Sequence, residues 1–427
     1  MKIIKYNPDI VIAGGGIAGV VSAISAAENN IKILIIEKNS FLGGTSTSTM
    51  LGEMNATSKN GENYLSQTGQ RIIEELIKEK AALSYRNEPM TSNPLIKVDR
   101  IRYNSEYLKI ILDRLVKKSG VQVLFKSYIT DVKLLSTNNI ETTVNTNFEK
   151  IVINSKLLID ATGNAECFYL LNDKTIINKK EDNQPASLIF RIGGIDLKKF
   201  RKIDIKEINN IIKKGYTKGI LPGKILALSE IPGTNEVTVN ATRSTNVDHE
   251  SIRDISRSLM ENREQIYQIV AFIKKNLDGC NNAYLSAIGS EIGIRDRRRI
   301  AGQYELTGKD IIKGNKFSDA IAVGTYPVDL HKNKDGAIQF IEIEQDEAYT
   351  IPYRSLIGKK ISNLITSGKC ISADNISFGS IRVIGTVMNI AEAAGTAANL
   401  AIKQNKNFHE IDVSLLQNVL RKKGMKI

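Results

Sequence analysis

Two sets of residues in this 427-residue chain have the types and spacing to do chemistry. The first is Gly14-Gly15-Gly16-Ile17-Ala18-Gly19, a G-x-G-x-x-G run, with the carboxylate of Glu37 about twenty residues on. Gly14 permits a tight turn, Gly16 lets the backbone approach a pyrophosphate, and Gly19 lets a helix pack closely on a strand. Glu37 can accept hydrogen bonds from an adenosine ribose, and its charge disfavours a 2′-phosphate and hence NADP. The second set is scattered. Arg295 opens a basic run that ends at Arg299, and Asp329 stands two residues before His331 in Tyr326-Pro-Val-Asp-Leu-His. A guanidinium at Arg295 or Arg299 is a two-pronged donor for a carboxylate or enolate. The same run also reads as a solvated basic turn, or as ion pairs with Asp296. On an extended strand Asp329 and His331 point the same way, so the carboxylate could orient an imidazole of near-neutral pKa for proton transfer. A structural or surface histidine fits the pattern equally well.

The glycine run needs elements on either side of it. Asp9 to Ala13 is an apolar run suited to a strand buried on both faces. Small and apolar residues from Ile17 through Ala27 predict a helix packed on a sheet, and a second strand spans Ile31 to Ile36. The helix N-terminus offers unpaired N–H groups and a positive dipole end to phosphates. Strand, glycine turn, helix and terminal acid together specify a dinucleotide, which a lone glycine pattern would not. A second glycine pair, Gly43-Gly44 before Thr45, follows Glu37 and Lys38 where an NAD domain would continue its βαβ series, and this favours FAD.

Further helices are expected at about 70–82 and 105–118, and a strand pair at about 121–135. A run at 153–160 leads to the turn Asp160-Ala161-Thr162-Gly163, and the last sheet segment appears at 364–368. With these segments in place, the chain resembles the FAD-dependent oxidoreductase family whose nucleotide domain is of the glutathione-reductase type. DIVIAGGGIAGVVSAISAA with IIEKNSFLGGTS, LLIDATGNAE, and the stretch from Asn363 to Ala401 carry the likeness. The resemblance implies that Gly14, Gly16 and Gly19 (with Ile17 and Ala18 between) meet the pyrophosphate, and that Glu37 followed by Lys38 meets the adenosine ribose. It further implies that Gly43, Gly44 and Thr45 lie near the flavin, that the backbone of Ile129 contacts adenine, and that Ala161, Thr162 and Gly163 pack beside the adenosine. Gly379, Ser380, Arg382, Gly385 and Thr386 are implied at the border of the isoalloxazine. Asn164 stands where the family often has an acid, which leaves that position without an expected role.

The expected fold is α/β, a Rossmann-like FAD-binding domain with a central parallel sheet discontinuous in sequence, joined to an α+β substrate domain. The boundaries read as 1–175 for the first part of the FAD-binding domain, 176–345 for the substrate or cap domain, 346–405 for the return segment and 406–427 for a C-terminal extension. In the substrate domain, strands are expected at 186–192 and 236–240 and a long helix at 252–275. No second G-x-G-x-x-G is present, which disfavours a dedicated nicotinamide domain.

Composition narrows the function classes. Apolar residues make up 42% and charged residues 25%, ordinary for a globular protein. Residues 380–402 are apolar but contain Arg382 and Glu392, so they read as a buried helix rather than a membrane span. Three scattered cysteines give no disulfide framework or zinc motif, and no metal site is expected. Cys370 reads as an inert buried thiol near the flavin. The N-terminus lacks the apolar core of a signal peptide, so a cytoplasmic setting is expected. The net charge of +13 reads as dispersed Lys and Arg; no basic tail supports a nucleic-acid partner. The favoured function is a flavin accepting hydride from a small polar or anionic organic substrate, with Arg295, Asp329, His331 and Arg382 as catalytic candidates. An RNA-modifying flavoprotein and a non-redox flavin-dependent isomerase or hydratase are the rivals.

Overall fold

The computed structural model describes residues 2–27, 30–90, 93–332, 338–344 and 348–427. Its centre is a five-stranded parallel sheet in the order Leu364–Thr366, Leu157–Asp160, Ile10–Ala13, Ile33–Ile36, Gln122–Leu124. The edge strand Leu364–Thr366 comes from the far end of the sequence, so the sheet is discontinuous in the chain. All four residues of Ile10–Ala13 are buried. Side chains alternate: Ile10 and Ile12 join one core, and Val11 and Ala13 join another on the opposite face. That is why this strand is apolar without interruption.

Helices Ile17–Ala26, Ser105–Lys118 and Ile384–Gln404 contribute to the first core. Opposite lies an antiparallel meander, Tyr128–Ser136, Asn139–Asn145 and Glu149–Ser155, extended by Lys2–Tyr6. This arrangement corrects two expectations. The strands near 121–135 do not pair with each other, because Gln122–Leu124 closes the parallel sheet and Tyr128–Ser136 joins the meander. Likewise the run 153–160 divides at Lys156 between the meander and the parallel sheet. Apolar patterning marks burial, and it does not change when the chain crosses from one sheet to the next.

The second part is α+β. An antiparallel sheet, ordered Ala227–Glu230, Val237–Asn240, Phe190–Gly193, Tyr284–Ile288, packs with helices Ile205–Thr217 and Ile252–Asn276. The strand expected at 186–192 pairs in this sheet only over Phe190–Gly193, and Ala186 instead bridges Ser244. The apolar stretch 380–402 is interrupted at Arg382-Val383, which separate helices Asn375–Ile381 and Ile384–Gln404. Among the described residues, no helix is long and apolar enough to cross a membrane.

Candidate functional site

The parallel strands end at one side of the sheet, and the turns that follow them open onto a single long cleft with a cavity volume of about 480 Å³. Gly14 leaves its strand at φ +100°, and a Cβ there would lie 2.6 Å from the Ala161 carbonyl oxygen. A Cβ on Gly19 would lie 1.9 Å from Gly14 O, so the helix can sit this close to the turn only with glycine. Gly16 differs: its Cβ would meet nothing nearer than Gly44 Cα at 3.9 Å, and it would stand in the cleft. Gly43 and Gly44 fold back onto the turn. The Gly43 N–H donates to Gly15 O at 2.9 Å, and a Cβ on Gly44 would press on Gly16 Cα at 2.9 Å. Thr45 then opens a short helix on the cleft wall.

Glu37 is buried at the end of its strand, on the cleft. Its Oε2 accepts the Gly15 N–H at 2.7 Å and its Oε1 the Asn39 N–H at 2.7 Å. Each carboxylate oxygen keeps a lone pair for an incoming hydroxyl. Lys38, Ile129, Ala161, Thr162 and Gly163 line the same end. Asp160 builds the 161–163 turn, taking Thr162 Oγ1 at 2.7 Å and the Cys167 N–H at 2.9 Å, and burial pushes its pKa up to about 6. Exposed glycine backbone, a free helix start and an oriented carboxylate fit the pyrophosphate and ribose of a dinucleotide.

At the other end the structure brings together the four catalytic candidates, all on the cleft. The Arg382 guanidinium lies 3.4 Å from Asp329 Oδ2 and donates to the Asp329 carbonyl at 3.1 Å. His331 Nε2 lies 3.3 Å from Asp329 Oδ1. Burial acts to raise Asp329, but His331, Arg382 and Arg295 outweigh it and hold the carboxyl below its ordinary range. His331 does not have the near-neutral pKa expected of it. Burial, helped by the Arg295 charge and opposed by Asp329, pushes it down to about 4. It is a neutral imidazole at pH 7, and its Nδ1 is buried without a hydrogen-bond partner.

Arg295 donates through Nη1 to the Pro185 carbonyl and to Ser187 Oγ at 3.1 Å, and has no ion pair among the described residues. Burial and then the Arg382 charge push its pKa down to about 9, so it is still a cation at neutral pH. The remainder of the basic run is divided between wall and scaffold. Arg297 lines the cleft. Arg298 bonds Glu250 and lies over the Tyr169 ring at 4.0 Å, and its N–H donates to Asn164 Oδ1 at 3.2 Å. Arg299 is buried against Asn178 and Asn375 at 2.9 and 2.8 Å, so it is scaffold and not the alternative to Arg295.

Four residues implied at the flavin border stand behind the wall. A Cβ on Gly385 would lie 2.2 Å from Ala56 O, and one on Gly379 would lie 2.9 Å from Asp329 O. Ser380 Oγ bonds the Tyr349 hydroxyl at 2.7 Å, and Thr386 is fully buried. The cleft face of this segment is Arg382, Val383, Ile384 and Val387, at the start of helix Ile384–Gln404. Cys370 is a core thiol raised to about 12 by burial.

One wall residue escaped the sequence reading. Lys369 follows the return strand, lines the cleft, and donates to the carbonyls of Ile294 and Arg295 at 3.1 and 3.0 Å, with burial pushing its pKa down to about 8. Its place just past the end of a parallel strand was the available signal. His249 is buried, with Nδ1 2.6 Å from Asp296 O. Among the described residues no cluster of His, Cys, Asp and Glu could hold a metal.

Residues 9–420 match the protein family described as FAD dependent oxidoreductase. Over 87 residues, 20% of this chain, the sequence is 36% identical to the aerobic glycerol-3-phosphate dehydrogenase of Staphylococcus haemolyticus (strain JCSC1435), and the match spans 14% of that protein. Among solved structures, a geranylgeranyl bacteriochlorophyll reductase-like protein of Thermoplasma acidophilum superposes with a TM-score of 0.51 at 13% identity, over 98% of this chain and 84% of that one. Aklavinone-11 hydroxylase, solved with FAD and aklavinone, superposes with a TM-score of 0.50 at 11% identity, over 93% of this chain and 63% of that one. At such identities the likeness is one of fold.

Proposed function

Because the chain belongs to the FAD-dependent oxidoreductase family, we propose that its cleft holds FAD and oxidises a small polar or anionic organic substrate. Gly14–Gly19 would hold the pyrophosphate, Glu37, Lys38 and Ile129 the adenosine, and Gly43, Gly44, Thr45 and Arg382 the flavin. When bound, the flavin supplies a two-electron acceptor for hydride. Arg295 holds the anionic group of the substrate with its planar donors. Asp329 fixes Arg382 by charge and His331 through its Nε2 contact. His331, neutral at pH 7, takes on its unpartnered Nδ1 the proton that the substrate loses with the hydride.

The observation that carries this reading is the Arg295 guanidinium, facing the cleft with no carboxylate paired to it among the described residues. A cation without a direct ion pair in a partly desolvated site gains from an anionic ligand. The test is the visible spectrum of the purified protein after incubation with FAD and removal of the excess. A retained, structured flavin band is expected; a colourless protein that takes up no FAD would contradict the assignment. Anaerobic trials then separate net redox, which bleaches the flavin, from turnover without net redox change.

A further inference from the structure

Beyond Arg295 the cleft continues along a wall belonging to the α+β part. Ile189, Ile212, Ile225 and Leu226 line it. Ile212 comes from helix Ile205–Thr217, and Ile189 precedes strand Phe190–Gly193. The apolar wall starts where the charge ends. Arg295 donates to Ser187, two residues before Ile189, and it shares a small recess with Ser187, Ile225, Asn240 and Arg243. The segment that supplies Ile212 is strongly basic. Residues 197–224 carry nine Lys or Arg against two Asp or Glu, all nine basic residues are exposed, and Lys224 lines the cleft itself.

A wholly polar acid would leave the accessible parts of Ile225, Ile189 and Ile212 against water, and a neutral apolar molecule would leave Arg295 without an ion pair; both are unfavourable. We infer that this site takes an amphipathic organic anion, its acidic head on Arg295 and an apolar body of several carbons against Ile189, Ile212 and Ile225. The inference rests on the proposed cofactor reading for its chemistry, and on the wall alone for its binding. Lys224 at the cleft, and the exposed basic segment that it ends, raise the encounter rate of such an anion.

The experiment is calorimetric titration of the FAD-loaded protein with acetate, butanoate, hexanoate and octanoate, and with 1-octanol as the uncharged control. Affinity is expected to rise about fourfold per added methylene, as apolar burial gives, and octanoate is expected to bind at least about tenfold more tightly than octanol. Arg295→Gln removes the preference for octanoate over octanol, and Ile225→Ser reduces the gain per methylene. Octanoate binding no more tightly than acetate, or octanol binding as well as octanoate, overturns the inference without needing either variant. If the protein takes up no FAD, the cofactor reading fails separately, and the same series on the cofactor-free protein still decides the site.

Discussion

The cradle around Gly14–Gly19 is made by backbone, whereas the wall from Ser187 to Arg295 is made by side chains drawn from segments distant in the sequence. In the cradle three glycines answer to a nearby atom, Gly14 to Ala161 O, Gly19 to Gly14 O and Gly44 to Gly16. Its geometry follows from chain paths and tolerates almost no change in side-chain volume. At the far end Asp329 attracts Arg382 and Arg295 and contacts His331, and the positions could bear other residues without altering the course of the chain. Backbone-built sites bind what the fold dictates. Side-chain-built sites carry the specificity that a single sequence states least clearly.

Substitutions should separate the two ends sharply. Gly19→Ala places a Cβ 1.9 Å from a backbone oxygen that cannot yield, so urea unfolding should show a loss of about 3 kcal/mol or more. At the side-chain end the comparable lever is pH. The folded pKa of His331, about 4, lies below its unfolded value of 6.5. As pH falls the unfolded chain takes up this proton first, so stability is lost between about pH 6.5 and 4, by up to a few kcal/mol. Asp160 acts in the opposite sense: its folded pKa of about 6 is raised, so its contribution is lost as pH rises through that value. The slope removed by His331→Asn in a pH series of unfolding curves therefore isolates the imidazole.

Arg295→Gln is a smaller change in stability and a larger one in function. It removes a partly desolvated cation that has no ion pair among the described residues, so the melting temperature should hold or rise. Flavin reduction by an anionic substrate should slow by about a hundredfold in kcat/KM. An equal loss with a neutral substrate would move Arg295 from binding to scaffold. Smallest is Glu37→Gln. The amide keeps one acceptor but turns an NH2 toward a backbone N–H that Glu37 now satisfies. FAD affinity should fall about tenfold, with little change in folding.

This contrast also governs what the sequence makes legible. The glycine turn, Glu37 and the Asp160 turn are read from neighbours within a few residues, and the parallel sheet with its distant return strand follows from the apolar runs that bound them. Gly379 and Gly385 were legible as glycines but not in purpose. Each admits a neighbouring backbone, Asp329 in one case and Ala56 in the other, that no local pattern announces. Lys369 and the apolar wall were invisible for the same reason. Lys369 matters through the carbonyls of Ile294 and Arg295, and Ile212 shares a cleft with Arg295 only once helix Ile205–Thr217 is packed in place. The His331 pKa failed differently: the carboxylate two residues away was readable, but the burial and the Arg295 charge that outweigh it were not.

Gly16 offers the most direct test, because its Cβ would stand in open cleft with no protein atom closer than 3.9 Å. If the pyrophosphate of FAD rests on this turn, calorimetric titration of FAD into cofactor-free Gly16→Ala protein should show binding weakened by about ten- to a hundredfold, with the melting temperature of the cofactor-free protein unchanged. FAD binding equal to that of the unaltered protein would contradict the placement of the cofactor on which the whole account of the cleft depends.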